Sequence, residues 1–156
     1  MLKITIPAFG EIQLKHLVCD FSGTLSVDGK LVDGVAERLN RLADDLAIHV
    51  LTADTHGSAH DALQGINCKL QILDLKYQDF QKEKYVVDLG AQHVVAVGNG
   101  NNDRMMLKTS RVGIAVCLAE GLAVDAARAA DIVAPSITDA LDLLIYPKRL
   151  IATLRF

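Results

Sequence analysis

The chain has 156 residues, of which 51% are hydrophobic and 22% charged, and its formal net charge is −3. A chain of this size and composition buries enough apolar surface to form a folded domain, which excludes extensive disorder. The slightly acidic balance argues against a nucleic-acid-binding protein, because such proteins usually present a basic face. We therefore expect a single domain over residues 1–156, with no nucleic-acid partner.

Cysteine usage and hydropathy bear on the cellular compartment. Cys19, Cys68 and Cys117 lie far apart and form no Cys-x-x-Cys pair. We expect them to be small buried side chains with reduced thiols, as in a cytoplasmic protein. The N-terminus lacks the apolar run and cleavage site of a secretory signal, and no apolar stretch is long enough to cross a membrane. The sequence predicts a cytoplasmic protein without a membrane partner.

The chain begins with apolar segments broken by Pro7–Gly10, which predict a small β-hairpin leading into a buried strand that ends at Asp20. Asp28-Gly29 is a turn signal and predicts a second small hairpin within residues 25–32. Beyond Gly34, helix-like and strand-like segments alternate. The predicted strands are residues 47–51, 69–73, 94–97, 112–116 and 132–133, and the predicted helices are residues 35–46, 58–64, 82–89, 103–109, 122–130 and 137–144.

Strands that alternate with helices predict the α/β class. The expected architecture is a three-layer, Rossmann-like parallel sheet with helices on both faces and a small N-terminal β-hairpin. In such sheets ligands bind beyond the carboxyl ends of the strands. The residues that follow each strand are therefore the first candidates for a functional site.

Three predicted strands end in residues that suit phosphate chemistry. They lead into Asp20-Phe-Ser-Gly-Thr24, Thr52-Ala-Asp54 and Gly98-Asn-Gly-Asn-Asn-Asp103. A carboxylate beside a Gly-Thr turn suits a nucleophile held among backbone N–H groups, and Asn and Asp oxygens suit magnesium. Taken singly, these segments are equally typical of turns, helix caps and permissive loops. Their order, and their place at strand ends, favour a functional site.

This order of motifs resembles the haloacid dehalogenase superfamily, whose members transfer phosphoryl groups through an aspartate nucleophile. Within it, the chain is most similar to soluble relatives of the P-type ATPase phosphorylation domain. That closer similarity rests on Thr52–Asp54, Gly98–Asp103, Val112–Val116 and Ala129–Val133. The resemblance covers roughly residues 16–145. It implies a haloacid dehalogenase-like fold and a Mg²⁺-dependent phosphohydrolase acting on a phosphorylated substrate through an aspartyl phosphate.

The resemblance also implies a role for each matching position. The catalytic residues would be Asp20 as the nucleophile, Ser22, Thr52 on a phosphoryl oxygen, and Lys82, with Lys84 as the alternative lysine. The phosphate-binding residues would be Gly23, Thr24, Ala53 and Asn102. The ligands of Mg²⁺ would be Asp20, the backbone carbonyl of Ser22, Asn99 and Asp103, the last directly or through water.

Two positions depart from the family pattern. Ser22 stands where ordinary phosphatases of the family carry a second carboxylate as general acid, and a serine cannot transfer protons near neutral pH as a carboxyl group can. P-type ATPases have threonine there, and their phosphoenzyme is long-lived. Asn99 replaces the usual metal-binding aspartate, so one negative charge is lost and Mg²⁺ affinity should fall. We expect slow dephosphorylation and modest metal affinity.

The spacing of the motifs leaves no room for a cap domain. Asp20 and Thr52 are separated by a hairpin and one helix, and Asp54 and Lys82 by a helix, a strand and a short connection. The site is then either open to a bulky substrate or covered by a neighbouring subunit. We expect a homo-oligomer in which the hairpin of residues 25–32 lies near a neighbour.

Other interpretations stay open at this point. Ser22 and Asn99 both weaken the catalytic set, which is compatible with a non-catalytic phosphate-binding or regulatory domain. A response-regulator receiver also combines Asp, Thr and Lys, but the early position of Asp20 and the Gly-Asn loop disfavour it. His56 and His60 have the spacing of a zinc pair, yet no further ligand is marked, and we expect a polar helix face. His16, His49 and His93 are interpreted as boundary residues.

Overall fold

A computed structural model describes residues 1–54 and 57–156 of the chain. Its strands are β1 (Leu2–Ile6), β2 (Gly10–Leu14), β3 (His16–Asp20), β4 (Ser26–Val27), β5 (Lys30–Leu31), β6 (Ala47–Thr52), β7 (Lys69–Ile72), β8 (Val94–Gly98), β9 (Val112–Val116) and β10 (Ile132–Ala134). Its α-helices are α1 (Val35–Leu42), α2 (Ser58–Ala62), α3 (Gln78–Asp88), α4 (Arg104–Thr109), α5 (Val124–Ala129), α6 (Ile137–Ile145) and α7 (Pro147–Leu154). Two 3₁₀ turns cover Ala91–His93 and Asn101–Asp103.

The main sheet is parallel, with the strand order β10-β9-β8-β3-β6-β7. β3 lies in its middle, and Cys19 is paired with Val50 of β6 on one side and with Val97 of β8 on the other. The antiparallel pairs β1–β2 and β4–β5 stand apart from this sheet. The predicted α/β class, the parallel sheet and both hairpins are confirmed.

Successive side chains of each central strand point to opposite faces of the sheet, so the apolar runs supply two cores. In β3, Leu17 and Cys19 pack into one core, while Val18 packs into the other. Helices α1, α2, α6 and α7 and the β1–β2 hairpin cover the first face, and α3, α4 and α5 cover the second. This is the three-layer arrangement that the alternation of elements predicts.

The C-terminal helix α7 is an element that the sequence pattern did not indicate. It begins at Pro147, whose fixed φ and missing N–H suit the first turn of a helix. Leu150 is fully buried against the first core, which fixes α7 beside α6 and β1. The last predicted helix covers residues 137–144, and no element was predicted after it.

Element boundaries near the site also differ from the predicted ones. α3 begins at Gln78, four residues before the predicted start at Lys82, and α2 ends at Ala62 rather than at residue 64. The segment between β3 and α1 forms only the small β4–β5 hairpin. None of the described helices is long and apolar enough to cross a membrane. The single-domain organisation stays a prediction.

Candidate active site

The carboxyl ends of β3, β6 and β8 meet at one edge of the sheet, because the three strands are parallel neighbours. β3 ends in Asp20, β6 ends in Thr52, and β8 ends in Gly98, directly before Asn99. Each strand delivers its last side chain to the same edge while its apolar residues fix it in the sheet. The fold thus brings together the three motifs that the sequence placed at strand ends.

A buried three-residue charge cluster lies at the centre of this edge. The ammonium nitrogen of Lys82 is 2.7 Å from Oδ1 of Asp20 and 2.7 Å from Oδ1 of Asp103. Lys82 is 1% exposed, Asp103 is fully buried, and Asp20 is 6% exposed. Of the three, Asp20 is the most exposed and is the one that lines the neighbouring pocket.

The structure separates the two candidate lysines. Lys82 lies on the same face of α3 as Val86, one turn later, and that face packs on the sheet. Lys84 lies on the outer face, where its ammonium group is exposed and donates to Asp88 at 2.6 Å. Lys82 is therefore the lysine of the charge cluster, and Lys84 makes a surface ion pair.

Burial and charge shift the pKa values of the cluster. Desolvation and the carboxylate of Asp103 raise the pKa of Asp20 to about 6, although Lys82 and Thr24 act in the opposite direction. Burial alone would lower the pKa of Lys82, but the two neighbouring carboxylates outweigh it and raise that pKa above its usual value. At neutral pH the cluster therefore holds an ammonium group and an Asp20 that is mainly ionised.

Asp103 is held rigidly by backbone groups. Its Oδ2 accepts hydrogen bonds from the N–H groups of Asn99 and Gly100, both at 2.9 Å. A Cβ atom on Gly98 would lie 2.5 Å from Cγ of Asp103, so only glycine fits there. Asp103 is outside the set of residues that line the pocket. The geometry favours a role in orienting Lys82 and the β8 loop, and the predicted metal contact stays a prediction.

Thr24 and Asn99 surround the second carboxylate oxygen of Asp20. The hydroxyl of Thr24 is 3.0 Å from Oδ2 of Asp20 and 3.2 Å from Oδ1 of Asn99, and it can donate to one of them at a time. The amide nitrogen of Asn99 donates to the carbonyl of Gly121 at 3.0 Å, which turns its oxygen towards Thr24 and Asp20. Asn99 therefore presents an oxygen donor to the site.

Gly23 allows the loop after β3 and the loop after β8 to approach each other closely. Its φ of +76° lies in the left-handed region, and a Cβ atom there would lie 2.5 Å from the amide nitrogen of Asn99. The β3 loop and the β8 loop can therefore touch only because this position has no side chain. The structure places Gly23 in the packing between these loops, and a contact with phosphate stays a prediction.

A pocket of about 290 Å³ opens onto Asp20. Of the predicted residues, it is lined by Asp20, Ser22, Thr52, Ala53, Asn99 and Asn102. The side chain of Ser22 is exposed at the pocket. The hydroxyl of Thr52 accepts the N–H of Asp54 at 3.1 Å, which holds the β6 loop at the pocket wall. The pocket can accommodate a phosphate group within reach of Asp20.

Sequence reasoning missed Gln78, which also lines the pocket. Its side-chain oxygen accepts a hydrogen bond from the amide of Asn102 at 3.0 Å, so it joins α3 to the β8 loop. Gln78 lies four residues before Lys82, and such residues share a helix face. If α3 had been predicted to begin at Gln78, that spacing would have indicated Gln78 as a residue of the site. Asp54 also lines the pocket, and it caps α2 by accepting the N–H of Ala59 at 3.1 Å.

The histidines and cysteines lie outside this pocket where the structure describes them. His56 lies outside the described residues, and His60 is exposed beside Asp61, as expected of a polar helix face. The interpretation of His49 as a boundary residue was wrong, because it is a buried residue of β6. All three cysteines are free thiols, but only Cys19 is buried as expected, while Cys68 is half-buried and Cys117 is exposed.

Comparison with known proteins identifies the fold. No family model matches the chain. The uncharacterized protein MJ0073 of Methanocaldococcus jannaschii is 47% identical over 62 residues, which are 40% of this chain and 67% of that protein. This chain belongs to the same family as that archaeal protein.

Solved structures extend the comparison to almost the whole chain. The cobalt-bound deoxy-D-mannose-octulosonate 8-phosphate phosphatase of Haemophilus influenzae has a TM-score of 0.68 at 16% identity, over 88% of this chain and 91% of that one. The 3-deoxy-D-manno-octulosonate 8-phosphate phosphatase of Moraxella catarrhalis, with magnesium, phosphate and KDO, has a TM-score of 0.64 at 17% identity, over 91% and 94%. The expected haloacid dehalogenase-like fold is confirmed.

Proposed function

We propose that this chain, which has the fold of haloacid dehalogenase-family phosphatases, is a Mg²⁺-dependent phosphohydrolase that forms an aspartyl phosphate on Asp20. The observation that supports this most is the buried cluster of Asp20, Lys82 and Asp103 behind an open pocket. Burying three charged groups costs folding free energy that their mutual attraction only partly offsets, so their presence beside a pocket favours a functional role. A carboxylate kept solvent-accessible beside a fixed ammonium group suits nucleophilic attack on a phosphoryl group.

The reaction has two displacements at phosphorus. In the first, a carboxylate oxygen of Asp20 forms a bond to phosphorus, and the bond from phosphorus to the leaving-group oxygen breaks. In the second, water attacks the aspartyl phosphate, which releases inorganic phosphate, regenerates the carboxylate and returns a proton to solvent. Lys82 offsets the negative charge that the phosphoryl oxygens and Asp20 carry in both steps. Thr52 and the N–H of Ala53 stand at the pocket wall, where they can donate to those oxygens.

The residues around Asp20 fit a magnesium ion. Mg²⁺ prefers oxygen ligands, and Asp20 and the side-chain oxygen of Asn99 converge within hydrogen-bonding distance of the same Thr24 hydroxyl. The backbone carbonyl of Ser22 would complete this set. The bound ion would neutralise phosphoryl charge. The magnesium and phosphate present in the M. catarrhalis phosphatase support the same assignment for this fold.

The residues of this chain offer less catalytic assistance to the hydrolysis of the aspartyl phosphate than to its formation. Ser22 is exposed at the pocket where a general acid or base would act, and its hydroxyl cannot carry out proton transfer near neutral pH. Such proton transfer contributes about 10²- to 10⁴-fold in rate. We therefore propose slow hydrolysis of the phosphoenzyme. Slow hydrolysis of the phosphoenzyme is consistent with the resemblance to soluble relatives of the P-type ATPases. That closer relationship is also a proposal.

A second candidate function is a phosphate-binding or regulatory domain with little turnover. The pocket offers hydrogen-bond donors and a buried lysine, while Ser22 and Asn99 supply no charge where phosphatases of the family have carboxylates. The same pocket would then hold a phosphorylated ligand without cleaving it. A cytoplasmic location and a homo-oligomer that covers the open site are proposals that accompany either function.

The two functions are separated by a phosphate-release assay on a panel of phosphate esters and acyl phosphates, with and without Mg²⁺. The enzyme releases phosphate only with Mg²⁺, and Asp20→Asn abolishes release while its unfolding transition stays cooperative. The control is Asp88→Asn, which changes a carboxylate in a surface pair on the same helix as Lys82. Silence across the panel, with saturable binding of phosphate, would assign the binding domain instead.

A further inference from the structure

We propose that Gln78 is a positioning residue, which turns the side-chain amide of Asn102 so that its nitrogen donates to a phosphoryl oxygen in the pocket. The inference rests on the proposed function, because it concerns how the same pocket holds phosphate. It starts from two half-buried amide side chains that both line the pocket and are hydrogen-bonded to each other at 3.0 Å.

A backbone carbonyl sets the direction of the hydrogen bond between the two amides. The side-chain nitrogen of Gln78 donates to the carbonyl of Leu75 at 3.3 Å. A carbonyl only accepts hydrogen bonds, so the nitrogen of Gln78 faces Leu75 and its oxygen faces Asn102. That oxygen accepts a hydrogen bond from the amide nitrogen of Asn102. A reversed Asn102 amide would bring two oxygens together, and Gln78 therefore fixes how Asn102 is turned.

A phosphate group in this pocket depends on neutral N–H donors. Among the described residues that line the pocket, Asp20 and Asp54 are acidic and none is basic. The backbone N–H groups of Asn99 and Gly100 both donate to the carboxylate of Asp103, at 2.9 Å each. These two N–H groups are thus already used inside the protein. A side-chain amide that presents its nitrogen supplies a donor that this part of the β8 loop otherwise lacks.

The two asparagines of the β8 loop are turned in opposite ways. The amide nitrogen of Asn99 donates to the carbonyl of Gly121, so its oxygen is turned towards the site and suits a metal ion. The amide nitrogen of Asn102 has two N–H groups, and one of them donates to Gln78. The described residues supply no acceptor for the second one. That N–H, on a side chain that lines the pocket, suits a phosphoryl oxygen.

The contact with Gln78 is not needed to hold the backbone of the β8 loop against α3. Arg104 donates to the carbonyl of Asn101 at 2.8 Å and to the carboxylate of Asp79 at 2.9 Å. This ion pair joins the first turn of α3 to the β8 loop independently of Gln78. Removal of the Gln78 side chain should therefore release the amide of Asn102 and leave the loop in place.

The test measures the binding of inorganic phosphate in the presence of Mg²⁺ by titration calorimetry, which requires no turnover. Gln78→Met keeps the length of the side chain but removes both of its hydrogen bonds. We expect it to weaken phosphate binding about 5- to 20-fold, because a hydrogen bond to a charged group is lost or misdirected. Asn102→Ala should weaken binding to a similar extent. In the Asn102→Ala background, Gln78→Met should change the affinity by less than about 2-fold, because it acts through Asn102.

Gln81→Met is the matched control, because Gln81 is a neighbouring glutamine of α3 outside the set of residues that line the pocket. Its side chain accepts the N–H of Asp74 at 3.0 Å and donates to the carbonyl of Lys76 at 2.6 Å. It therefore stabilises the same end of α3 without contacting Asn102. We expect unchanged phosphate affinity in Gln81→Met.

Two results would overturn the role of Gln78. One is an equal loss of phosphate affinity in Gln78→Met and Gln81→Met, and the other is a double variant in which the losses of Gln78→Met and Asn102→Ala add. A native chain that neither binds phosphate nor releases it from acetyl phosphate would instead contradict the proposed function of the pocket. Phosphate binding that weakens as expected, without any release, would support the role of Gln78 and assign the binding domain.

Discussion

Lys82 and Asp20 form a buried ion pair, with the ammonium nitrogen 2.7 Å from Oδ1 and with both side chains less than a tenth exposed. The two residues are 62 positions apart and come from α3 and β3. Such a pair gives little net stability, because the desolvation of two charges offsets most of their attraction. Removing one partner, however, leaves an uncompensated charge in a buried position. A substitution of either residue is therefore expected to change both the activity and the stability of the protein.

We expect Lys82→Met to abolish phosphate release and to destabilise the protein by about 3–5 kcal/mol, because Asp20 and Asp103 are then buried without a counter-charge. Urea unfolding followed by circular dichroism measures the second effect. The double variant Lys82→Met/Asp20→Asn should recover part of the lost stability but none of the activity.

Lys84→Met is the matched control for this experiment. Its ammonium group is 74% exposed and pairs with Asp88 at the surface, where such pairs contribute about 0.2–1 kcal/mol. We expect near-normal activity and only a small change in the unfolding free energy. Equal effects of the two single variants would contradict the placement of Lys82 in the site.

The contact between the β3 and β8 loops predicts the effect of Gly23→Ala. The new methyl group would lie 2.5 Å from the amide of Asn99, and the residue would also keep a left-handed φ. We expect a loss of about 2–4 kcal/mol and a reduced rate, because Asn99 has to move away from Thr24 and Asp20.

Gly65→Ala separates the two causes of that loss. Gly65 has a φ of +79°, but a Cβ atom there meets nothing within 4 Å. We expect a cost of about 1–2 kcal/mol from the backbone alone and unchanged activity. If Gly23→Ala costs no more than Gly65→Ala, the close packing of the two loops is not important.

The fold was largely predictable because the central strands β3, β8 and β9 have no polar face. Val94–Val97 and Val112–Val116 are continuous apolar runs, and runs of this length, separated by helical periodicity, predict a parallel sheet covered on both sides. The missed helix α7 begins at Pro147, and a proline is found both where helices end and where they begin. Its position depends on Leu150 packing against the first core, a tertiary contact that local pattern does not encode.

The sequence predicted only those site residues that belong to recognisable motifs. Asp20 and Thr52 end adjacent strands, so their proximity follows from topology. The hydrogen bonds that surround Asp103 and the contact between Gln78 and Asn102 depend on how α3 lies against the β8 loop. Spacing along one helix could have indicated Gln78, whereas the environment of Asp103 required the packed structure.

A second titrating cluster, away from the catalytic pocket, predicts how stability depends on pH. His49 is buried between His16, 3.1 Å away, and the hydroxyl of Tyr85, 2.9 Å away. Burial, together with His16 and Lys69, lowers the pKa of His49 to about 4. The unfolded chain has a normal histidine near 6.5 and binds more protons than the folded chain between these values. The stability that His49 contributes is therefore fully present above pH 6.5 and is lost as the pH drops towards 4. The raised pKa of Asp20 acts in the opposite direction below about pH 6, so the His49 contribution is seen only by comparison with a variant.

We expect the melting temperature of the native chain to fall by about 3–6 °C relative to that of His49→Gln over this interval, since the contribution of Asp20 is the same in both. Melting curves of both proteins, recorded at steps of half a pH unit, measure this change in melting temperature. The control is His60→Gln, since His60 is exposed on α2 and should leave the profile unchanged. A profile of His49→Gln that runs parallel to that of the native chain would show that other groups titrate.

Asn99 predicts how the protein responds to magnesium. Asn99→Asp adds a charge to the oxygen donors near Asp20, but it loses the hydrogen bond to the carbonyl of Gly121. We expect a lower melting temperature without Mg²⁺ and a larger rise when Mg²⁺ is added. The Mg²⁺ concentration for half-maximal activity should fall about 3- to 10-fold. An unchanged requirement, with the melting temperature insensitive to Mg²⁺, would place the ion elsewhere.

The last prediction concerns Ser22, the exposed residue at the pocket where the family has a carboxylate. With serine in place of that carboxylate, the aspartyl phosphate should accumulate in the native chain and be trapped by acid quench after reaction with a labelled acyl phosphate. Ser22→Asp should speed its hydrolysis when Mg²⁺ is bound, because general base catalysis contributes about 10²-fold or more. The added carboxylate would also repel phosphate, so the gain should vanish at low Mg²⁺. Ser22→Asn is the control of similar size without the charge. Were Ser22→Asp no faster than Ser22→Asn, and no phosphoenzyme trapped in the native chain, another group would have to carry the proton.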